Sequence, residues 1–169
     1  LYIGGGTPTC LPEDLLERLL RWITGSFDIA SLQEFTVEAG RPDSITAAKL
    51  QIIKHAGATR VSVNPQTMQQ RTLDRIGRNH SVEQIFSAFV LARAAGFDQI
   101  NMDLIAGLPG ETLTDMQGSL AQVLALKPEN ITVHTLALKR RAVLFENAAD
   151  GDLPQSTVVQ QMVECSAQS

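Results

Sequence analysis

The chain has 169 residues, 44% of them hydrophobic and 19% charged, with a formal net charge of −4. That balance fits one globular domain with a sizeable core and carries no nucleic-acid footprint: the basic run Lys139-Arg140-Arg141 reads as a solvated loop, not a phosphate-binding patch. No apolar run approaches the ~20 residues that span a bilayer, and two cysteines, Cys10 and Cys165, are too few for a disulfide framework and too distant for a ligand motif, so a reducing, cytoplasmic setting is expected.

Leu1-Tyr2-Ile3 reads as a short apolar strand, and an opening inside a strand is what a piece of a longer chain would show. Gly4-Gly5-Gly6-Thr7-Pro8-Thr9 follows, either a tight strand-to-helix turn or a loop that lets a ligand touch bare main chain, with Thr9 or a neighbour capping what comes next. Pro12-Glu13-Asp14 opens a helix, and Leu15, Leu16, Leu19, Leu20 and Ile23 recur at helical spacing as its buried face, with Trp22 expected to pack. Residues 33–38 read as a second strand ending on Glu38. A helix over residues 46–56 closes at Gly57, a left-handed C-cap, and residues 59–63 make a third strand. Asn64 ends that strand, because Pro65 argues against its continuation.

A polar, helix-prone excursion over residues 66–79 contains Ile76-Gly77-Arg78. Ser81-Val82-Glu83-Gln84 is a capping box for a helix that closes at Gly96. Residues 99–104 form a fourth strand, ended by Ala106-Gly107-Leu108-Pro109-Gly110-Glu111. Thr112 with Asp115 caps the next helix, which Lys127-Pro128 stops, and residues 131–136 form a fifth strand. No closing element is evident from residue 156 onward. Strands alternating with helices imply parallel crossovers, hence an α/β fold, either a (β/α) barrel or a doubly wound sheet.

Ligands in such folds bind beyond the C-terminal strand ends. Those ends carry Gly4, Gly5, Gly6, Glu38, Asn64, Asp103 and Thr135, a set of acceptors suited to an amino group and a ribose diol. Arg78 stands on the same side, where a guanidinium can clamp a carboxylate. His55 and His80 read as surface or loop histidines, and His134 lies within the fifth strand.

Taken together, Gly4-Gly5-Gly6-Thr7-Pro8-Thr9, Thr36-Val37-Glu38-Ala39-Gly40-Arg41-Pro42, Arg60-Val61-Ser62-Val63-Asn64-Pro65-Gln66-Thr67-Met68, Ile76-Gly77-Arg78-Asn79-His80 and residues 101–111 resemble, in order and spacing, the radical S-adenosyl-L-methionine (SAM) enzymes of the oxygen-independent coproporphyrinogen III oxidase group. The second and third stretches look most like its HemZ-type coproporphyrinogen dehydrogenase branch. The resemblance covers residue 1 to about residue 144. It implies a partial (β/α) barrel of six strands, with residues 1–150 supplying the second to sixth strands and 151–169 beginning a C-terminal extension.

The same resemblance implies site roles. Gly4, Gly5, Gly6 and Thr7 would frame the methionyl amino group of SAM, with Glu38 as a further acceptor. Arg78 would hold the methionyl carboxylate, and Asn64 and Asp103 the ribose hydroxyls, with Asn64 standing where many relatives carry Gln. Ile105, the turn from Gly107 to Glu111, and Thr135 would line the adenine. A four-iron four-sulfur (iron–sulfur) cluster would be held by a Cys-x-x-x-Cys-x-x-Cys loop expected upstream of Leu1, leaving no metal ligand here. The implied activity is radical oxidative decarboxylation of coproporphyrinogen III to protoporphyrinogen IX in heme biosynthesis, with a porphyrinogen substrate and a reducing electron donor as partners; the isolated chain would be inactive. A heme carrier of the same superfamily is the alternative, and an unrelated barrel enzyme whose glycine loops cradle a phosphate is another.

Overall fold

The computed structural model describes residues 1–137 and 153–167. The run Lys139-Arg140-Arg141 and the expected domain boundary after residue 150 lie outside the described residues. Strands β1 (Tyr2–Ile3), β2 (Thr36–Ala39), β3 (Arg60–Gln66), β4 (Ile100–Ala106) and β5 (Asn130–Thr135) form a single sheet in that order, every neighbouring pair parallel. The intervening helices are α1 (Glu13–Ser26), α2 (Ala47–His55), α3 (Gln70–Arg75), α4 (Val82–Ala94) and α5 (Leu113–Leu126), and α6 (Ser156–Ala167) follows β5. A doubly wound sheet reverses its strand order at a switch point. Here spatial order equals chain order throughout, which is the winding of a partial (β/α) barrel.

The elements begin and end where local chemistry directs. Thr46 accepts the Lys49 N–H at 3.1 Å to cap α2, and Ser81–Gln84 and Thr112–Asp115 form complete capping boxes on α4 and α5. Gly57 and Gly96 take φ of +91° and +86° just beyond α2 and α4, the left-handed geometry that terminates a helix. Thr9 caps nothing: it sits in a 3-10 turn, Pro8–Cys10, with its hydroxyl 2.7 Å from Ser44, and Pro12 holds the N-cap of α1.

Three expectations are corrected. Trp22 does not pack; it is 69% exposed, because the 3.6-residue turn carries position 22 away from the buried stripe of Leu16, Leu20 and Ile23, and Leu15 is turned outward with it. β3 does not stop at Asn64 but runs through Pro65 to Gln66, since its register against β4 slips between Val63 and Gln66 and the irregularity spares Pro65 a ladder bond. Residues 156–167 do form a closing element: α6 lies against α5 and buries Met162 completely.

The sheet has two dissimilar faces. Val37, Ala39, Val61, Val63, Ile100, Met102, Leu104 and Ala106 are fully buried in a core shared with Leu16, Leu20, Leu50, Ile53, Ile85, Phe89 and Val123 of the helices. Each of the larger side chains among them contributes about 1.5–3 kcal/mol by leaving water. The alternate positions, Thr36, Glu38, Arg60, Ser62, Asn64, Asn101, Asp103, Thr132 and His134, project to the other face because successive strand residues point oppositely. That polar face lines the concave side.

Candidate functional site

Glu38, next to last in β2, lies between two glycines, and the reason is steric. A Cβ on Gly4 would come 2.6 Å from Glu38 Oε2 and 2.4 Å from the Tyr2 ring; one on Gly40 would come 2.9 Å from Glu38 Oε1 and 3.2 Å from Asn64 Nδ2. Only bare main chain lets the carboxylate settle there. It then accepts the Gly5 N–H at 3.3 Å and the Asn64 amide at 3.0 Å. Gly5 reaches this pose at φ +105°, and Thr7, at +34°, bends the chain into the 3-10 turn.

From Asn64 the hydrogen bonds continue across the sheet. Ser62 Oγ donates to Asn64 Oδ1 at 2.9 Å, Asn101 Nδ2 donates to Ser62 Oγ at 2.9 Å and to Asp103 Oδ1, and Thr132 Oγ1 donates to Asn101 Oδ1 at 2.9 Å. One polar chain thus links β2, β3, β4 and β5 across the concave face. Ser62, Asn101 and Thr132 were not singled out from sequence. The available signal was the strand period: Ser62 and Asn101 stand two residues before Asn64 and Asp103 and therefore share their face. Tyr2, on the same face, has its phenol pushed up by burial and then by the Glu38 and Asp103 carboxylates. A cavity of about 210 Å³ lies over this face, lined by Tyr2, Arg60, Asn101, Asp103, Thr132 and His134 among others.

Arg78 approaches from the loop after α3, where its N–H bonds to the Leu73 carbonyl at 2.9 Å. Its side chain is half-buried, and burial lowers its pKa, with Arg41 adding to the effect and Asp43 and Glu38 opposing it. Among the described residues its guanidinium makes no hydrogen bond or ion pair, whereas neighbouring Arg41 is bound to Asp43 at 2.8 Å. A cation held partly out of water without a partner is a ready anion site.

His80 is not a surface histidine. It lies in a loop but is only 1% exposed, neither ring nitrogen has a well-formed hydrogen bond among the described residues, and burial followed by the Arg78 charge lowers its pKa against the opposing pull of Asp43 and the Pro65 main chain. His55 does lie at the surface, its Nδ1 2.8 Å from the Gln51 carbonyl.

The remaining expected positions are distributed along the β4–β5 end. Ile105 is half-buried on the concave face, in register with His134. Thr135 ends β5 and is exposed. Gly107 adopts φ +91°, and a Cβ there would come 3.1 Å from Val159, so its bareness also serves the seating of α6. Among the described residues no group of His, Cys, Asp and Glu side chains could hold a metal ion, and no helix is long and apolar enough to cross a membrane.

The Radical SAM superfamily model matches residues 1–123. The chain is 41% identical over 165 residues to the oxygen-independent coproporphyrinogen-III oxidase-like protein HemZ of Bacillus subtilis (strain 168), covering 97% of this chain and 33% of HemZ. It is 40% identical over 154 residues to the heme chaperone HemW of the same organism, covering 90% of this chain and 40% of HemW. Among solved structures, coproporphyrinogen III oxidase (HemN) from Escherichia coli, a radical SAM enzyme, superposes with a TM-score of 0.88 at 27% identity over 99% of this chain and 39% of its own. The chain therefore spans between a third and two-fifths of the length of these relatives.

Proposed function

The chain belongs to the radical SAM superfamily, and from that premise we propose that its sheet rim is the SAM cradle of an oxidoreductase that decarboxylates coproporphyrinogen III. The observation that carries the reading is the polar chain across four strands, with Arg78, unpartnered among the described residues, standing beside it. The donor set fits a sulfonium amino acid joined to a nucleoside. Glu38 and the glycine main chain suit an ammonium, Arg78 a carboxylate, and Asn64 and Asp103 a diol. Asp103 offers its second oxygen, since only Oδ1 is taken by Asn101. Ile105 and the Gly107 turn give adenine an apolar wall.

When bound, SAM and a reduced four-iron four-sulfur cluster supply the hydrogen-abstracting chemistry. Exposed Cys10 and Cys165 of α6 form no ligand set, so the cluster's ligands are assigned to polypeptide outside this chain. The residues here bind SAM by its charged end, orient its ribose through the rigid rim, and keep water from the concave face.

A second reading, transfer of heme, has a specific support in the similarity to the heme chaperone HemW. Anaerobic reconstitution of the full-length protein separates the two. Formation of 5′-deoxyadenosine and protoporphyrinogen from SAM and coproporphyrinogen III is the expected outcome. Stoichiometric heme binding without porphyrinogen turnover would replace the enzyme reading with the carrier, and absence of SAM binding would defeat both.

A further inference from the structure

Glu111 ends the turn after β4, yet its side chain turns away from the rim. It is 5% exposed, and Thr67 Oγ1 donates to its Oε1 at 2.5 Å, with the Thr72 hydroxyl as a further hydrogen-bond partner. Thr67 in turn lies 3.3 Å from the Ser119 hydroxyl of α5 and accepts the Gln69 N–H at 3.1 Å; Ser119 accepts the Met68 N–H at 3.1 Å, and Gln69 Nε2 donates to the Asp115 carbonyl at 3.2 Å. Burying a carboxyl is costly unless its oxygens are hydrogen-bonded. Here the bonds run between two loops that a simple turn would leave independent.

Those loops carry the two halves of the proposed cradle. Thr67 follows Asn64 on β3, and its loop leads through α3 to Arg78, which is tied back to Leu73 of that helix. Glu111 closes the turn that begins at Gly107, just after Asp103 and Ile105 on β4. We propose that Glu111 is a positioning residue: by accepting the Thr67 and Thr72 hydroxyls it fixes the spacing between the Asn64–Arg78 side and the Asp103–Ile105–Gly107 side before SAM arrives. The inference rests on the SAM reading above. A ligand that must touch both sides binds more tightly when their separation is already set, because it does not bear the cost of ordering them.

The test uses the full-length, cluster-reconstituted protein and measures the SAM dissociation constant by equilibrium dialysis with labelled SAM. Glu111→Gln keeps an acceptor for Thr67 and leaves the constant within about two-fold. Glu111→Leu and Thr67→Val each raise it about three- to thirty-fold, and the double variant is no worse than the weaker-binding single one, since both break the same link. Amide exchange at Met68 and Gln69 quickens in those two variants and not in Glu111→Gln. A melt without SAM identifies any variant that fails to fold; if Glu111→Leu does, Thr67→Val against Glu111→Gln still decides. Folded Thr67→Val or Glu111→Leu protein that binds SAM like the wild type overturns this inference alone. Wild-type protein that does not retain SAM overturns the SAM reading and this inference together.

Discussion

Along β4, Ile100, Met102, Leu104 and Ala106 turn toward the helices and are fully buried, while Asn101 and Asp103 turn to the concave face, where Asn101 bonds to both neighbouring strands and to Asp103. β3 divides in the same way, Val61 and Val63 against Ser62 and Asn64. Parallel strands covered on both faces normally read as unbroken apolar runs. The alternation here assigns stability to one face and recognition to the other, so substitutions on the two faces should fail differently.

The largest effect is expected on the apolar face. Leu104→Ala leaves a cavity beneath the helices and should cost about 2–5 kcal/mol in denaturant unfolding, while the protein that remains folded binds SAM nearly as before. Equal loss of affinity would erase the distinction between the faces. Next comes Arg78→Ala. Removing a charge-assisted bond costs about 1.5–3 kcal/mol, so SAM should bind about ten- to a hundred-fold more weakly. The melting temperature should hardly move, because the guanidinium has no partner among the described residues to leave behind. An unchanged SAM dissociation constant would remove Arg78 from the cradle.

Gly4→Ala should mix the two kinds of failure. Its methyl would fall 2.4 Å from the Tyr2 ring and 2.6 Å from Glu38 Oε2, and overpacking of that kind costs about 1–3 kcal/mol. Displacing Glu38 should also weaken SAM binding, whereas Gly6→Ala, where a Cβ meets nothing within 4 Å, should leave the melt close to wild type.

The smallest effect concerns pH. Burial, the dominant cause, raises the Glu111 carboxyl above its ordinary value, against the weaker pull of Thr67 and Thr72. A raised folded-state pKa means that this residue's contribution is fully present below the unfolded value and is lost as pH rises through the folded one. Glu111→Gln should therefore gain stability relative to wild type toward alkaline pH and lose that advantage toward acid, read as the difference in melting temperature across the range. The opposite slope would mean that the hydroxyl bonds outweigh burial.

Much of this molecule is written in short-range patterns. The capping boxes at Ser81 and Thr112, the left-handed glycines at positions 57 and 96, and the polar residues sharing one face of the strands follow from local backbone chemistry and the strand period, and all are legible without coordinates. The family was legible as well, because its motifs are contiguous stretches at these same strand ends. Where reading the chain went astray, the missing term was a neighbour distant in sequence. Pro65 stays within β3 because β4 tolerates a slipped register beside it, Trp22 is exposed because no described element covers that side of α1, and His80 is buried among groups that include Arg41, Asp43 and Pro65.

By itself, then, the order of residues determined the alternation of strands and helices, the apolar and polar sides of each strand, and the identity of the residues at the rim, since each depends on spacings of two to four positions. Only the tertiary structure decided that the sheet winds in one direction, that Glu38 reaches Asn64 and Asn64 reaches Asn101 through Ser62, that Arg78 has no partner among the described residues, and that Glu111 joins the two loops. Those outcomes depend on distances between strands, and such distances exist only once the helices have packed against the outer face and brought the strand ends together.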